Sequence, residues 1–175
     1  MSSFYELDST VLGEKGEEIA AKRLEKVGYT VAQFTRGISH PVDIVAYKRN
    51  KMTFFEIKTK AKMKYYDATG IDEADHETYT KLAEDYGVPV IILFVDYLTG
   101  SIYGGNIKDM QQHKKIPRLK ANGKENRKVD LIVYDLTRMK EFCKLTEEEI
   151  LELESLSNSN YKHVNIDNQH EEIDV

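Results

Sequence analysis

Two acidic residues and a lysine lie in neighbouring apolar segments of the chain. Asp43 stands in the segment PVDIVAY, and Glu56 and Lys58 stand two apart in the next one, MTFFEIKT. Segments rich in Val, Ile, Phe and Tyr are typical of β-strands, whose buried faces do not admit carboxylates without a compensating cation. The sequence therefore predicts a site for positive charge on these strands.

The short polar turn between the two segments fixes which residues face each other. If the strands pair across a turn centred between Arg49 and Asn50, Asp43 lies directly opposite Glu56, and Lys58 shares that face. Directly opposed residues have Cβ atoms about 5 Å apart. Two carboxylates at that distance can share one divalent cation and repel each other without it. This register predicts a metal site, which a slip of one residue would abolish.

A third acid is expected from a first helix over residues 12–27, which Gly28 closes. At about 100° per residue, Glu17 falls on the apolar stripe of this helix, whereas Glu18 falls on the solvated side. Glu17 is therefore the expected inward carboxylate, with Glu14 as the fallback. Carboxylates with waters and phosphate oxygens suit a hard cation such as Mg²⁺. The stripe consists of Leu12, Gly16, Ala20, Leu24 and Val27.

These residues resemble a known signature. Pro41-Val42-Asp43 followed by Glu56-Ile57-Lys58 resembles the motif of the PD-(D/E)xK nuclease superfamily, in the form P-x-D because Val42 separates the proline from the aspartate. Gly16-Glu17 resembles the first-helix acid of the Holliday-junction-resolvase-like branch. The resemblance covers about residues 13–104. It implies an α/β fold, a restriction-endonuclease-like mixed β-sheet flanked by α-helices.

The same resemblance implies an activity and a role for each residue. Asp43, Glu56 and the Ile57 carbonyl would bind Mg²⁺ or Mn²⁺, and Glu17 would help hold the metal or its waters. Lys58 would orient the attacking water or stabilise the developing charge. The chain would be a DNA endonuclease of recombination or repair, leaving a 5′-phosphate. Branched DNA is a possible substrate, and a homodimer is the expected assembly.

Basic residues follow the acidic motif. Lysines at 58, 60, 62 and 64 would share one face if the strand stayed extended, which predicts a phosphate track. Tyr65 and Tyr66 follow and are placed to stack on bases, and residues 113–128 form a basic loop that adds a second clamp. The lysine row can instead keep an exposed strand edge from aggregating. The predicted DNA-binding residues are Lys60, Lys62, Lys64, Tyr65, Lys114, Lys115 and Arg118.

The formal net charge of −5 is unevenly distributed along the chain. Residues 141–175 hold ten acids and two lysines, a net of −8, which leaves +3 for the rest. Local patches rather than totals set the field that a phosphate experiences, so the total does not exclude nucleic acid. We expect a nuclease-like domain over residues 1–156 and an acidic, disordered tail over residues 157–175.

The remaining elements are predicted from apolar periodicity and turn residues. Strands are expected at residues 29–35, 42–47, 52–59, 88–95 and 101–103, with a last strand from Val129 and with residues 88–95 at the centre of the sheet. Helices are expected at residues 72–86, with Tyr79 and Tyr86 inward, at residues 106–112, and at residues 145–156, where a dimer contact is possible. No long apolar run or leader is present, so we expect a cytoplasmic protein with no membrane partner. The lone Cys143 is expected to be structural.

Three other interpretations fit the same residues. The chain could be a non-catalytic nucleic-acid-binding module on the same fold, or a protein-interaction factor that uses its acidic tail. The acids and Lys58 could also form a salt bridge on a solvated face, with Glu17 paired to Lys22 or Arg23. His40 and His76 are left out of the site, because lone histidines are typically surface or capping residues and Mg²⁺ prefers oxygen.

Overall fold

The computed structural model describes residues 8–34, 40–110, 112–122 and 125–168. They form a six-stranded mixed sheet with helices on both faces, and a smaller three-stranded sheet. The helices are α1 (Asp8–Lys26), α2 (Glu73–Asp85) and α3 (Glu147–Asn168), with a 3-10 turn at Leu136–Arg138. The strands are β1 (Thr30–Gln33), β2 (Ile44–Lys48), β3 (Lys51–Thr59), β4 (Ala68–Asp72), β5 (Val90–Asp96), β6 (Ser101–Asn106), β7 (Gln112–Asn122), β8 (Glu125–Asp135) and β9 (Lys140–Lys144).

The large sheet has the order β1-β2-β3-β5-β6-β9, and the small sheet has the order β4-β8-β7. β3 and β5 are parallel, while the other neighbouring pairs are antiparallel. β5 is an almost continuous apolar run, which is typical of a strand covered on both faces. It lies between β3 and β6, so the prediction of a central strand there is confirmed.

Two hydrophobic cores lie on opposite faces of the large sheet. One joins α1 and α3 to the sheet through residues such as Leu24, Leu153 and Phe55. The other joins α2 and the small sheet to the opposite face, through Tyr79 and Ile132 among others. Because successive strand residues point to opposite faces, β3 turns Phe55 and Ile57 toward α1 and turns Glu56 and Lys58 toward α2.

The hairpin formed by β2 and β3 has the register that the sequence predicts. Ile44 pairs with Phe55 and Lys48 pairs with Lys51. Arg49 and Asn50 make the turn with φ of 50° and 61°, the left-handed conformation that a tight two-residue hairpin turn requires. One step beyond the Ile44 pair, the same register brings Asp43 alongside Glu56.

Helix α1 approaches β3 very closely at Gly16. A Cβ atom built on Gly16 would lie 1.7 Å from Thr59 Oγ1 and 2.9 Å from Thr59 Cβ. Any side chain at this position would push the helix away from the strand that carries Glu56 and Lys58. Gly16 therefore sets the distance between α1, which carries Glu17, and β3.

We expect Gly16→Ala to destabilise the protein by about 1–3 kcal/mol, because the added methyl group overpacks this contact. Gly13→Ala is the matched control: a Cβ on Gly13 meets nothing within 4 Å, so it should stabilise α1 by about 0.5–1 kcal/mol. Adding Thr59→Ala to Gly16→Ala removes the nearest atom and should restore part of the loss. Urea unfolding measures all three, and equal effects at positions 13 and 16 would contradict this account.

Several predicted elements differ from the structure. Residues 113–122 and 125–128 are not a loop, since they belong to β7 and β8; residues 123–124 lie outside the described part. β4 and β9 are strands that the sequence analysis missed. The predicted helix at residues 106–112 is absent from the described part of that segment; the Asn106 side chain accepts a hydrogen bond from the Lys108 N–H in a turn instead. Val27 and Tyr86 are exposed rather than inward, at 45% and 67%.

Helix α3 continues past the predicted start of the tail. It runs to Asn168, and Ser157 is buried, with its hydroxyl 2.8 Å from the Tyr97 hydroxyl. Residues 157–168 are thus helical in the structure, within the segment expected to be a disordered tail, while residues 169–175 lie outside the described part. The apolar face of α3 packs within the chain, where Leu153 is fully buried. None of the described helices has the length and apolarity needed to cross a bilayer.

Candidate active site

Strand β3 extends beyond the end of its neighbour β2. The ladder between them stops at Ile44 and Phe55, whereas β3 continues to pair with β5 as far as Thr59. One side of residues 56–59 is therefore open. The predicted site residues gather around this opening.

Asp43 lies beside β3 just beyond the last pair of the β2–β3 ladder. Its Oδ2 atom accepts a hydrogen bond of 2.7 Å from the Ile57 N–H. Because the N–H and C=O of one strand residue point to the same side of the strand, the Ile57 carbonyl also points toward Asp43 and away from β5. The carboxylate of Asp43 and this carbonyl thus share the open side.

Glu56 lies under helix α2, where it is only 6% exposed. Its Oε1 atom accepts hydrogen bonds from Lys58 Nζ at 2.7 Å and from the Tyr79 hydroxyl at 2.5 Å. Lys58 Nζ also donates to the Tyr79 oxygen at 3.3 Å and lies 3.8 Å from an Asp75 oxygen. Both donors converge on one oxygen of Glu56.

Glu17 approaches the same opening from the other face of the sheet. It is half-buried on α1, whereas Glu18 is exposed and pairs with Lys22. Burial raises the pKa of Glu17, and the negative charge of Glu56 raises it further, while His40 opposes the shift. Glu17 is thus electrostatically coupled to the other acids, although it does not lie on the same face of the sheet.

The two strand acids have too little compensating charge. Burial raises the pKa of Asp43, and Glu17 adds to the rise, although the Ile57 N–H opposes it. Burial likewise raises the pKa of Glu56, and Asp43 adds to it against the opposing effect of Lys58. Burial alone lowers the pKa of Lys58, but its acidic neighbours, Glu56 first, raise it above the usual value. The charge of Lys58 lowers the pKa of Glu17, Asp43 and Glu56, but burial outweighs it at all three.

This donor set fits a hard divalent cation. It consists of carboxylate oxygens with a strand carbonyl nearby, which are the ligands that Mg²⁺ and Mn²⁺ prefer. A cation among the acids would also relieve the repulsion that raises their pKa values. Within the described residues, however, no group of three or more Asp, Glu, His or Cys side chains is arranged so that it could hold a metal ion. Asp43 and Glu56 lie on one face of the sheet and Glu17 approaches from the other, so metal binding by these three acids stays a prediction.

The predicted DNA-binding lysines do not form one extended row, because β3 ends at Thr59. Lys60 Nζ donates to the Gly70 carbonyl, Lys62 Nζ pairs with Asp67, and Lys64 Nζ lies 5.3 Å from the centre of the Tyr65 ring. Tyr65 is 78% exposed. The premise of a single row was wrong, while binding of DNA by these residues stays a prediction.

The other predicted DNA-binding residues lie on the smaller sheet. Lys115 is exposed and pairs with Glu73 at the start of α2. Lys114 and Arg118 belong to β7, and their side chains lie outside the described part of the structure.

Sequence analysis missed the part that Tyr79 plays. Tyr79 was assigned to the core, and its ring does pack there, but its hydroxyl binds Glu56. Burial and then the charge of Glu56 raise the pKa of Tyr79, so the phenol stays protonated and acts as a donor. Helical spacing placed it inward on α2, but nothing in the sequence indicated which strand residue it would meet. His40, which the sequence analysis left out of the site, lies beside it: its ring donates from Nδ1 to the Val42 carbonyl at 2.8 Å, next to Asp43.

We expect Tyr79→Phe to reduce metal affinity about tenfold, the lower end of the range for residues that orient a ligand. The Tyr79 hydroxyl lowers the pKa of Glu56, so its loss raises that pKa. Metal binding should therefore require a higher pH in the variant than in the wild type. Calorimetric titration with Mn²⁺ at several pH values measures both effects. Tyr86→Phe, at the C-cap of the same helix, is the control and should change neither.

No protein-family model and no curated protein matches this sequence. In structure the chain is similar to a Holliday junction resolvase from the archaeal hyperthermophile Archaeoglobus fulgidus, with a TM-score of 0.52 and 13% identity over 74% of this chain and 95% of that one. A nuclease from a fusselovirus has a TM-score of 0.46 and 13% identity, over 91% of this chain and 98% of that one. The resolvase comparison confirms the predicted architecture: the chain has a restriction-endonuclease-like α/β fold.

Proposed function

We propose that this protein is a metal-dependent DNA endonuclease that hydrolyses phosphodiester bonds. The observation that carries the proposal is the open end of β3, where Asp43, Glu56 and Lys58 meet, with Glu17 nearby. A solvated salt bridge would not bury Glu56 to 6% exposure or raise the pKa of both strand acids. The fold shared with a resolvase supports the same function.

The residues divide the work of hydrolysis. Asp43, Glu56 and Glu17 would hold Mg²⁺ or Mn²⁺, together with the Ile57 carbonyl. When bound, such an ion would supply a water of lowered pKa and positive charge to neutralise the phosphate. The Ile57 N–H fixes one Asp43 oxygen and thereby orients the other. Tyr79 and Lys58 hold Glu56 Oε1 in the same way, which orients Glu56 Oε2.

Lys58 has a second role as a cation beside the reacting phosphate. Its neighbours keep the ammonium group charged, since they raise its pKa. A fixed positive charge stabilises negative charge that develops in the transition state and can orient the attacking water. Its contacts with Glu56 and Tyr79 keep it in place without the reorganisation that solvent would need.

The proposal extends to the setting of the reaction. We assign the enzyme to DNA recombination, repair or processing, with selectivity for the shape of the substrate, because contacts to phosphates carry no sequence information. A homodimer would bring two sites to opposed strands of a branched substrate. These finer assignments rest on the likeness to the resolvase fold and on the signature residues.

A substrate panel with metal titration tests this function. Supercoiled plasmid, linear duplex, flapped duplex and four-way-junction DNA are incubated with Mg²⁺, Mn²⁺ or EDTA. We expect cleavage only with metal, and faster on a branched substrate than on the linear duplex. Binding without cleavage under every metal condition would favour the non-catalytic module. Loss of function only when residues 169–175 are removed would favour the protein-interaction factor.

A further inference from the structure

The hairpin formed by β7 and β8 reaches beyond the body of the protein. β8 pairs with β4 only over the five pairs from Leu131 to Asp135. The six pairs from Pro117↔Asp130 to Asn122↔Glu125 join β7 and β8 alone. Two-stranded ribbons are only marginally stable by themselves, so a partner bound along the free part would stabilise it.

The ribbon leaves the body beside the candidate active site. Its free part begins where β4 ends at Asp72, which is also the N-cap of α2. In the first turn of that helix, Glu73 pairs with Lys115 of the ribbon, and Asp75 lies 3.8 Å from Lys58 of the site. At roughly 3.3 Å per residue, six pairs extend about 20 Å from this point. That length matches about six base-pair steps of a duplex.

The register of the ribbon separates its basic residues by face. Arg118 and Lys120 lie two apart on one face, and Arg127 is paired with Lys120 on that face. The acid on this face is Glu125, paired with Asn122 at the tip. The opposite face is balanced: Lys115 pairs with Glu73, and Lys128 shares that face with Asp130. The sequence from residue 117 to 130 has five basic and two acidic residues, a net of +3.

A cationic pair directly across two strands is unfavourable without an anion between the charges. Lys120 and Arg127 are such a pair in the register of the two strands, in the half of the ribbon that pairs with no other described strand. A two-stranded ribbon is also one of the elements that the major groove of DNA admits. A row of phosphates along the groove would supply anions at a repeated spacing, which a single carboxylate on a protein partner does not.

We propose that the free half of the β7–β8 ribbon is a duplex-binding arm, whose face with Arg118, Lys120 and Arg127 contacts phosphates of DNA next to the cleavage site. The inference rests on the proposed nuclease function, because that function supplies DNA as the partner of the arm. It differs from a general basic patch because one face binds and the other does not.

Binding in EDTA tests the arm without any cleavage. Fluorescence anisotropy with a labelled duplex compares the wild type, Lys120→Gln/Arg127→Gln, the single variant Arg127→Gln and its control Lys128→Gln, which removes the same charge from the opposite face. We expect the first pair to weaken binding on the order of tenfold and to lower the slope of log K against log salt by about two. The control should weaken binding less than about twofold, and the single variant Arg118→Gln should lower the slope by about one.

The outcomes separate this inference from the function. Equal losses in Arg127→Gln and Lys128→Gln would overturn the arm, because the net charge alone would then explain binding. Wild-type binding to polyglutamate as tight as to duplex would overturn it as well. Melting temperatures equal to that of the wild type show that the variants remain folded. If the face-specific loss is seen but no metal yields cleavage, the arm stands and the nuclease proposal fails.

Discussion

Asp43→Asn should abolish metal-dependent cleavage while leaving the protein at least as stable as the wild type. We expect activity to fall by about 10³-fold or more, since this change removes a charged ligand from a site whose catalysis depends on electrostatic stabilisation. The asparagine oxygen can still accept the hydrogen bond from the Ile57 N–H that Asp43 accepts in the structure. The hydrogen bond that holds residue 43 beside β3 should therefore remain in the variant.

The stability gain follows from the sign of the pKa shift. Burial raises the pKa of Asp43 in the folded protein, so its charged form destabilises the fold at neutral pH. The neutral asparagine removes that penalty. The gain in free energy of unfolding of Asp43→Asn over the wild type should be complete above the folded-state pKa of Asp43. It should vanish below the pKa of an unfolded aspartate, about 3.9. Each kcal/mol gained raises the melting temperature by roughly 2–4 °C in a chain of this size.

Calorimetry in EDTA from pH 3.5 to pH 8, paired with the cleavage assay, measures both effects. Asp85→Asn is the control, because Asp85 is exposed on α2 and pairs with Lys81; it should retain activity. A loss of stability at pH 7 in Asp43→Asn would show that the acid is a structural partner rather than a strained ligand. Full activity would remove Asp43 from the catalytic site.

The β2–β3 hairpin shows what sequence can predict at this site. Its register depends on alternation within two short strands and on the turn at Arg49 and Asn50, all of which are local. The position of Glu17 on a half-buried part of α1 is also local, because it follows from helical periodicity. Local rules were therefore sufficient to bring Asp43 and Glu56 alongside each other.

The parts that were missed depend on contacts between distant segments. Tyr79 meets Glu56 only because α2 packs on the face of the sheet opposite α1, and periodicity within α2 does not select that face. The basic segment was assigned to a loop because lysines and arginines obscure the alternation of β7 and β8, whose pairing with β4 is long-range. The lysine row was extended past Thr59 because no residue there marks the end of the strand.

Lys58→Met tests the cation of the site, and we expect activity to fall by about 10²–10³-fold, as for loss of one preorganised donor. Methionine keeps the unbranched shape of the side chain but leaves Glu56 with the Tyr79 hydroxyl alone on Oε1. Removing one partner of a buried ion pair leaves an uncompensated charge. Glu56 can become neutral by binding a proton. We therefore expect the free energy of unfolding of Lys58→Met to fall by only about 1–3 kcal/mol at pH 7.

The pH dependence separates a charge effect from a packing effect. Lys58 lowers the pKa of Glu56 against the opposing effect of burial, so its loss raises that pKa further. A folded-state pKa above the unfolded value weakens the fold as pH rises from about 4.3. The stability difference between wild type and Lys58→Met should therefore be larger at pH 8 than at pH 5. Lys81→Met replaces an exposed side chain of α2 and should show no such trend. If the stability difference between wild type and Lys58→Met did not vary with pH, packing of the lysine stem rather than its charge would support the site.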